Sequence, residues 1–162
     1  MLPMPQYFRR DVYPRLPELI EKFEPPFHFY HLRGMIDAGS SMGLAFGATP
    51  YRQYFAVKAC PEPYIMKFLF ETLGFGFDCS SIAELTLARG LGARNEDIFF
   101  SSNDTSDAEF AYAAKDGGCI LNLDDITFIP LVPDFPETIC FRINPGKLRK
   151  GGSIIGEPYK SK

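Results

Sequence analysis

Residues able to do chemistry recur at matching places in this chain, each at the end of a short apolar run. Lys58 follows YFAV, Asp78 closes FGFD, and Arg142 and Asn144 stand in TICFRIN. A lysine is among the residues least often buried without a partner. An amine held away from water at such a place can act as a nucleophile, because burial disfavours its charged form. The same group of charges also fits a rim ion pair in which Lys58, Asp78 and Arg142 neutralise one another.

The segments between these runs have helical character. PEPYIMKFLFETLG sets Tyr64, Ile65, Phe68, Leu69 and Leu73 on one face, with Pro61 suited to a first turn. SSIAELTLARGLG opens on a capping box of Ser81 and Glu84 and ends in glycines. TSDAEFAYAAKDGG carries a second box in Ser106 and Glu109. Strands are expected at 54–57, 75–78, 98–102, 119–123 and 138–144, the last two joined by a proline-broken connection. Crossovers of helical length imply a parallel sheet, either doubly wound or part of a (β/α) barrel. Upstream, FHFYH reads as a strand and LRGMIDAG as a short helix, followed by a Gly/Ser-rich join at GSSMG.

Alternation along the strands sorts these side chains. Phe55, Val57, Phe75, Phe77, Phe141 and Ile143 take one face, suited to packing on helices. Tyr54, Ala56, Lys58, Gly76, Asp78, Cys140, Arg142 and Asn144 take the other, with Ile120 and Asn122 also sharing a side. Ala56 and Gly76 would leave room there, and parallel α/β folds bind ligands at the C-terminal ends of their strands.

The bulk properties narrow the function. A chain of 162 residues, 46% apolar and 23% charged, can build a core. A net charge of -3 without a basic block argues against nucleic acid. No run approaches the roughly 18 apolar residues of a membrane span, and the proline-rich N-terminus lacks a signal-peptide core, so a cytoplasmic protein is expected. Cys60, Cys79, Cys119 and Cys140 form no C-x-x-C pair, which favours buried thiols over metal ligands, and His28 and His31 lack accompanying ligands.

Several segments together resemble one family. YFAVKACPEP is similar to the F-Y-A-V-K-A-N-x-x-P segment of the fold-type III, alanine-racemase-like decarboxylases that use pyridoxal 5'-phosphate. GFDCSSIAEL resembles their second strand and helix, IFFSSNDTSDAEFAYAAKDG the third, and ILNLDD the fourth. FRINPG resembles the arginine-containing strand of diaminopimelate decarboxylases. The resemblance implies an α/β fold, a parallel-sheet (β/α)8 barrel that binds pyridoxal phosphate, here incomplete at about five strands. Residues 1–25 would be an N-terminal extension and 26–162 the N-terminal part of the barrel domain, truncated. Lys58 would be the Schiff-base lysine and catalytic residue. Asp78 and Arg142 would lie beside the cofactor, Ala56 would let its ring approach, and Ser101 and Asn144 would fall near pocket positions. Glu84 also matches a family position, although its capping role already accounts for it.

The implied reaction is decarboxylation of a diamino acid, meso-diaminopimelate to lysine, with ornithine, arginine or carboxynorspermidine decarboxylases as alternatives. A non-catalytic pyridoxal-phosphate-binding barrel is a further alternative, and an unrelated open α/β binding protein a third class. Two departures concern the pocket wall: SSNDTS replaces a more usual G-N-N-K-S, and Ser101 stands where diaminopimelate decarboxylases often carry histidine. A complete barrel needs roughly 250 residues. The chain is therefore expected to be an N-terminal fragment, inactive alone. It would lack the ring-stacking histidine, the phosphate-binding glycine loop, the acid that pairs with the pyridine nitrogen and a second β domain. The expected partners are an amino-acid substrate and either a second copy in a homodimer or a complementing C-terminal half.

Overall fold

A computed structural model describes residues 5–143. The chain divides into two compact units, residues 1–51 and 52–162.

In the first unit a π-helical turn at Phe8–Val12 and a 3-10 turn at Tyr13–Arg15 lead into helix α1, Leu16–Lys22. FHFYH is not a strand. Its last residue, His31, is the N-cap of α2, Leu32–Phe46, and its Nδ1 accepts a hydrogen bond from the Gly34 amide at 3.0 Å. The His31 ring stacks on Tyr7 with centroids 4.9 Å apart. GSSMG does not interrupt the chain but lies inside α2. There the Ser41 hydroxyl donates to the Asp37 carbonyl at 2.7 Å, satisfying within the helix a group that otherwise favours loops.

Among its described residues the second unit has five parallel strands: β1 (Tyr54–Ala56), β2 (Gly76–Cys79), β3 (Asn95–Ser102), β4 (Cys119–Leu123) and β5 (Ile139–Phe141). Their spatial order is β1-β2-β3-β4-β5, the order in sequence. A doubly wound sheet reverses its order at a switch point, and this sheet does not. Right-handed crossovers in one direction place every helix on one face, as in a barrel wall.

The crossovers are α3 (Pro63–Leu73), α4 (Ile82–Gly90) and α5 (Asp107–Ala113), with a 3-10 helix at Ile126–Leu131 carrying Pro130 before β5. Pro63 takes the first turn of α3, not Pro61, because Glu62 is the N-cap and its carboxylate accepts from the Ile65 amide at 2.8 Å. The buried face of α3 is therefore Ile65, Met66 and Leu69, and Tyr64 is exposed. Gly74 ends α3 in the left-handed region (φ 66°), which glycine adopts without a side-chain clash.

One apolar cluster joins the helices to the sheet. Val57, Phe77, Cys79, Ile98, Phe100, Leu121 and Leu123 meet Met66, Leu85, Ala88, Phe110 and Ala113. Cover weakens toward β5. Leu121 and Leu123 are 3% and 1% exposed, whereas Ile139 and Phe141, on the same face, are 39% and 47% exposed. Among the described residues, β1 and β5 each have one unpaired edge.

Among the described residues of this unit, Arg89 is the buried charge. Its guanidinium donates to the carbonyls of Tyr112 (3.1 Å), Ala113 (2.8 Å) and Lys115 (2.8 Å) and lies over the Tyr112 ring. Ala113 ends α5 and Lys115 lies just past it; the Tyr112 and Lys115 carbonyls also accept from the Lys115 and Gly118 amides, and a cation suits the negative end of the helix dipole. Replacing Arg89 with leucine removes all three charge-assisted bonds, including the one to the buried Ala113 carbonyl, and Arg89→Leu is expected to lower stability by about 3 kcal/mol. A urea midpoint compared with the unaltered chain measures this; an unchanged midpoint would contradict the capping role.

Candidate cofactor-binding site

Because all five strands run parallel, their C-terminal ends lie along one edge, and the register fixes which residues share a level. Ala56 pairs with Asp78, and Asp78 with Phe99. One step toward the C-terminal edge on the same face, Ser101 pairs with Asn122 and Asn122 with Cys140. This is the face opposite the helices, and its residues from Ala56 to Cys140 are half-buried. The division of strand residues between two faces follows the alternation of the sequence.

Lys58 departs from that alternation. β1 stops at Ala56, and Val57–Ala59 form a 3-10 turn, so Lys58 sits just past the strand end. Its side chain is exposed rather than enclosed in a dry hollow. The cause is position: β1 is an edge strand, flanked by β2 alone among the described residues. No salt bridge holds the Lys58 ammonium among the described residues.

Asp78 is the most constrained group at this edge. Its Oδ1 is buried and has no hydrogen-bond partner among the described residues. Burial pushes the carboxyl above its ordinary range; the Lys58 charge opposes this, the Glu84 carboxylate adds to it, and Arg142 opposes it more weakly. Glu84 is held by Ser80, whose amide donates at 2.8 Å and whose hydroxyl donates at 3.2 Å. Ser81 Oγ accepts from the Glu84 amide at 3.3 Å. The expected capping box is thus displaced by one residue on its return bond. Ser106 and Glu109 form the complete reciprocal box.

Arg142 lies one residue beyond β5, with its amide donating to the Leu123 carbonyl at 2.9 Å. Its Nη1 donates to Asp124 Oδ1 at 2.6 Å, and its side chain is 61% exposed. The rim ion pair is therefore Arg142 with Asp124, not Arg142 with Asp78, and an exposed pair of this kind contributes little to stability. Asn144 lies outside the described residues.

Gly76 does not open space for a ligand. A Cβ built there would lie 2.6 Å from the Tyr54 ring and 2.7 Å from the Asp97 carbonyl oxygen. Tyr54 folds across the glycine, donates its hydroxyl to the Glu96 carbonyl at 2.7 Å and meets Phe99 at 5.5 Å between ring centroids. Both rings stand on the face that carries Ala56 and Asp78, with Phe99 at the level of Asp78. On the helix side, burial pushes the thiols of Cys79 and Cys119 up, that of Cys119 to about 11, which makes both poor nucleophiles.

Asn122 is a site-face residue whose bonding sequence reasoning did not assign. Its Nδ2 donates to Ser101 Oγ at 2.9 Å. Strand parity already placed it on this face; the cross-strand partner came only with the register.

Comparisons with known proteins agree with this geometry. Residues 35–158 match the family described as pyridoxal-dependent decarboxylase, pyridoxal binding domain. Protein TabA of Pseudomonas amygdali pv. tabaci is 38% identical over 99% of this chain and 38% of its own length. The diaminopimelate decarboxylase of Deinococcus radiodurans is 30% identical over 80% of this chain and 33% of its own. The crystal structure of diaminopimelate decarboxylase from Helicobacter pylori, complexed with L-lysine, superimposes with a TM-score of 0.71 at 26% identity, covering 80% of this chain and 34% of that one. The chain thus spans well under half the length of these relatives. Among the described residues no helix is long and apolar enough to cross a membrane.

The raised carboxyl of Asp78 has a direct consequence for stability. An acid whose folded value exceeds its unfolded value of 3.8 costs nothing while protonated and destabilises the fold as pH rises through the folded value. Asp78→Asn is expected to match the unaltered chain below pH 3.8 and to melt at a higher temperature at pH 7. Melting curves across that range check it; a variant that is less stable at pH 7 would show that the carboxylate is stabilised in the fold.

Proposed function

The chain belongs to the pyridoxal-dependent decarboxylases through their pyridoxal binding domain, and on that premise we propose that Lys58 is the covalent attachment point for pyridoxal phosphate in an enzyme that converts meso-diaminopimelate to lysine. The observation that carries the proposal is Asp78: a buried, unpartnered carboxyl oxygen at the C-terminal edge of a parallel sheet, level with Ala56 and within the field of Lys58. Buried polar atoms are normally paired, so this one fits a group that binds there.

The residues suit that cofactor. Lys58 offers an exposed amine just past the strand end, where an aldehyde can reach it from solvent. Asp78, with its carboxyl raised, can hold a proton at Oδ1 and pass it within the site. Arg142 supplies a cation at the rim, Ala56 keeps the strand low enough for a ring to approach, and Ser101 supplies a hydroxyl; Asn144 is proposed to join them. Tyr54 and Phe99 add two aromatic rings to the same face. When bound, pyridoxal phosphate withdraws electrons from the amino acid's α-carbon so that carbon dioxide can leave.

Diaminopimelate is favoured by FRINPG and by the diaminopimelate decarboxylases among the relatives. The proposed setting is lysine biosynthesis in the cytoplasm. The active assembly would be a homodimer or a pairing with a chain supplying the C-terminal half. A second reading keeps the chemistry and changes the amino acid. The TabA protein matches over 99% of this chain, against 80% for the Deinococcus enzyme, and Ser101 stands where diaminopimelate decarboxylases often carry histidine. Ornithine, arginine and carboxynorspermidine are the competing substrates.

Borohydride treatment in the presence of pyridoxal phosphate, followed by peptide mapping, should tag Lys58, and Lys58→Ala should lose the tag. A tag on Lys22, Lys67 or Lys115 instead would refute the assignment. Turnover of the whole protein should be highest on meso-diaminopimelate; preference for ornithine, arginine or carboxynorspermidine would replace the first reading with the second.

A further inference from the structure

We propose that Asn122 is a positioning residue that fixes the Ser101 hydroxyl as a hydrogen-bond donor to an anionic oxygen of the bound ligand. The inference rests on the proposed use of this sheet face for pyridoxal phosphate and its amino-acid substrate.

A serine hydroxyl has one hydrogen to give and can accept at the same oxygen. Here Asn122 Nδ2 donates to Ser101 Oγ at 2.9 Å, which occupies the oxygen as acceptor and leaves its hydrogen to be donated elsewhere. Among the described residues no acceptor takes that hydrogen. The pair bridges β3 and β4 at a paired register position, so the bond is set by the backbone ladder as well as by the side chains. Both residues are half-buried and lie one step toward the C-terminal edge from the level of Asp78, on the same face. At one level, then, is a buried carboxyl oxygen without a partner, and at the next a hydroxyl with a hydrogen to give. A donor held in place before the ligand arrives loses little entropy on binding.

The recognised chemistry is an anionic oxygen, and two groups can bring one: pyridoxal phosphate itself, or the carboxylate of the amino acid. Asn122→Asp separates donation from shape. The replacement is nearly isosteric, but a carboxylate only accepts, so it captures the Ser101 hydrogen and turns it away from the ligand.

The test titrates the whole protein with pyridoxal phosphate, followed by its absorption change, and then titrates the loaded protein with L-lysine. Ser101→Ala and Asn122→Asp should each weaken one of these bindings by about tenfold. The Ser101→Ala/Asn122→Asp double variant should bind no more weakly than Asn122→Asp alone, because Asn122 acts through the hydroxyl. An effect on pyridoxal phosphate identifies the cofactor as the source of the oxygen; an effect on lysine alone identifies the carboxylate. Thermal melts establish that each variant folds, and Asn122→Leu, which leaves the hydroxyl unfixed, stands in if Asn122→Asp does not. Unchanged binding by Ser101→Ala in both titrations overturns the inference, as does a double variant in which the two losses multiply. In either case a borohydride tag retained at Lys58 leaves the cofactor assignment intact. A chain that takes up no pyridoxal phosphate overturns both.

Discussion

The in-order parallel ladder constrains everything else in the second unit. Each strand pairs with its sequence neighbours, so every crossover turns the same way and every helix lands on one side of the sheet. That side takes the apolar residues of one parity, and burial of Phe77, Ile98, Phe100 and Leu121 against three helices provides the main driving force for folding. The other parity faces away from the helices and is free to carry Asp78, Ser101 and Asn122. Site and core are two faces of one alternation, and a one-residue slip of any strand would exchange them.

Within that frame the chemistry turns on how the protein treats charge. Arg89 is buried with its Nη1 and Nη2 donating to carbonyls at and just past the end of α5, which makes it structural. Asp78 is half-buried with one oxygen unanswered, which makes it costly unless something binds there. Arg142 and Asp124 answer each other at the rim in solvent. Arg89 Nε is also buried without a partner, but its other nitrogens are held by carbonyls on the helix side, whereas Asp78 lies at the C-terminal edge on the open face, and perturbed groups of that kind gather at functional sites.

Much of this was legible from residues alone. Period-two runs located all five strands, with β4 placed to the residue and the others within a few positions. Capping chemistry located the start of α4 and α5. Periodicity could not choose between a doubly wound sheet and a barrel wall, because strand order is a tertiary property. It misread FHFYH, where aromatic residues suggested a strand but a histidine side chain caps a helix. It placed Lys58 on the strand, whereas the chain turns one residue sooner and leaves the amine in solvent. The Asn122–Ser101 bond needed the register between β3 and β4, which no local pattern encodes.

The crossing of Tyr54 over Gly76 ties two distant choices of residue together. The ring occupies the volume that any side chain at 76 would need, while the Asp97 backbone oxygen closes the other direction. Position 76 can therefore diversify only after position 54 has shrunk and the backbone at Asp97 has moved, and shrinking position 54 gives up the hydroxyl bond to Glu96 and the contact with Phe99. Drift at this pair has a required order, through an intermediate sequence with a gap beneath the sheet. Lineages that keep the tyrosine should hold the glycine beside it, whatever amino acid their active site handles.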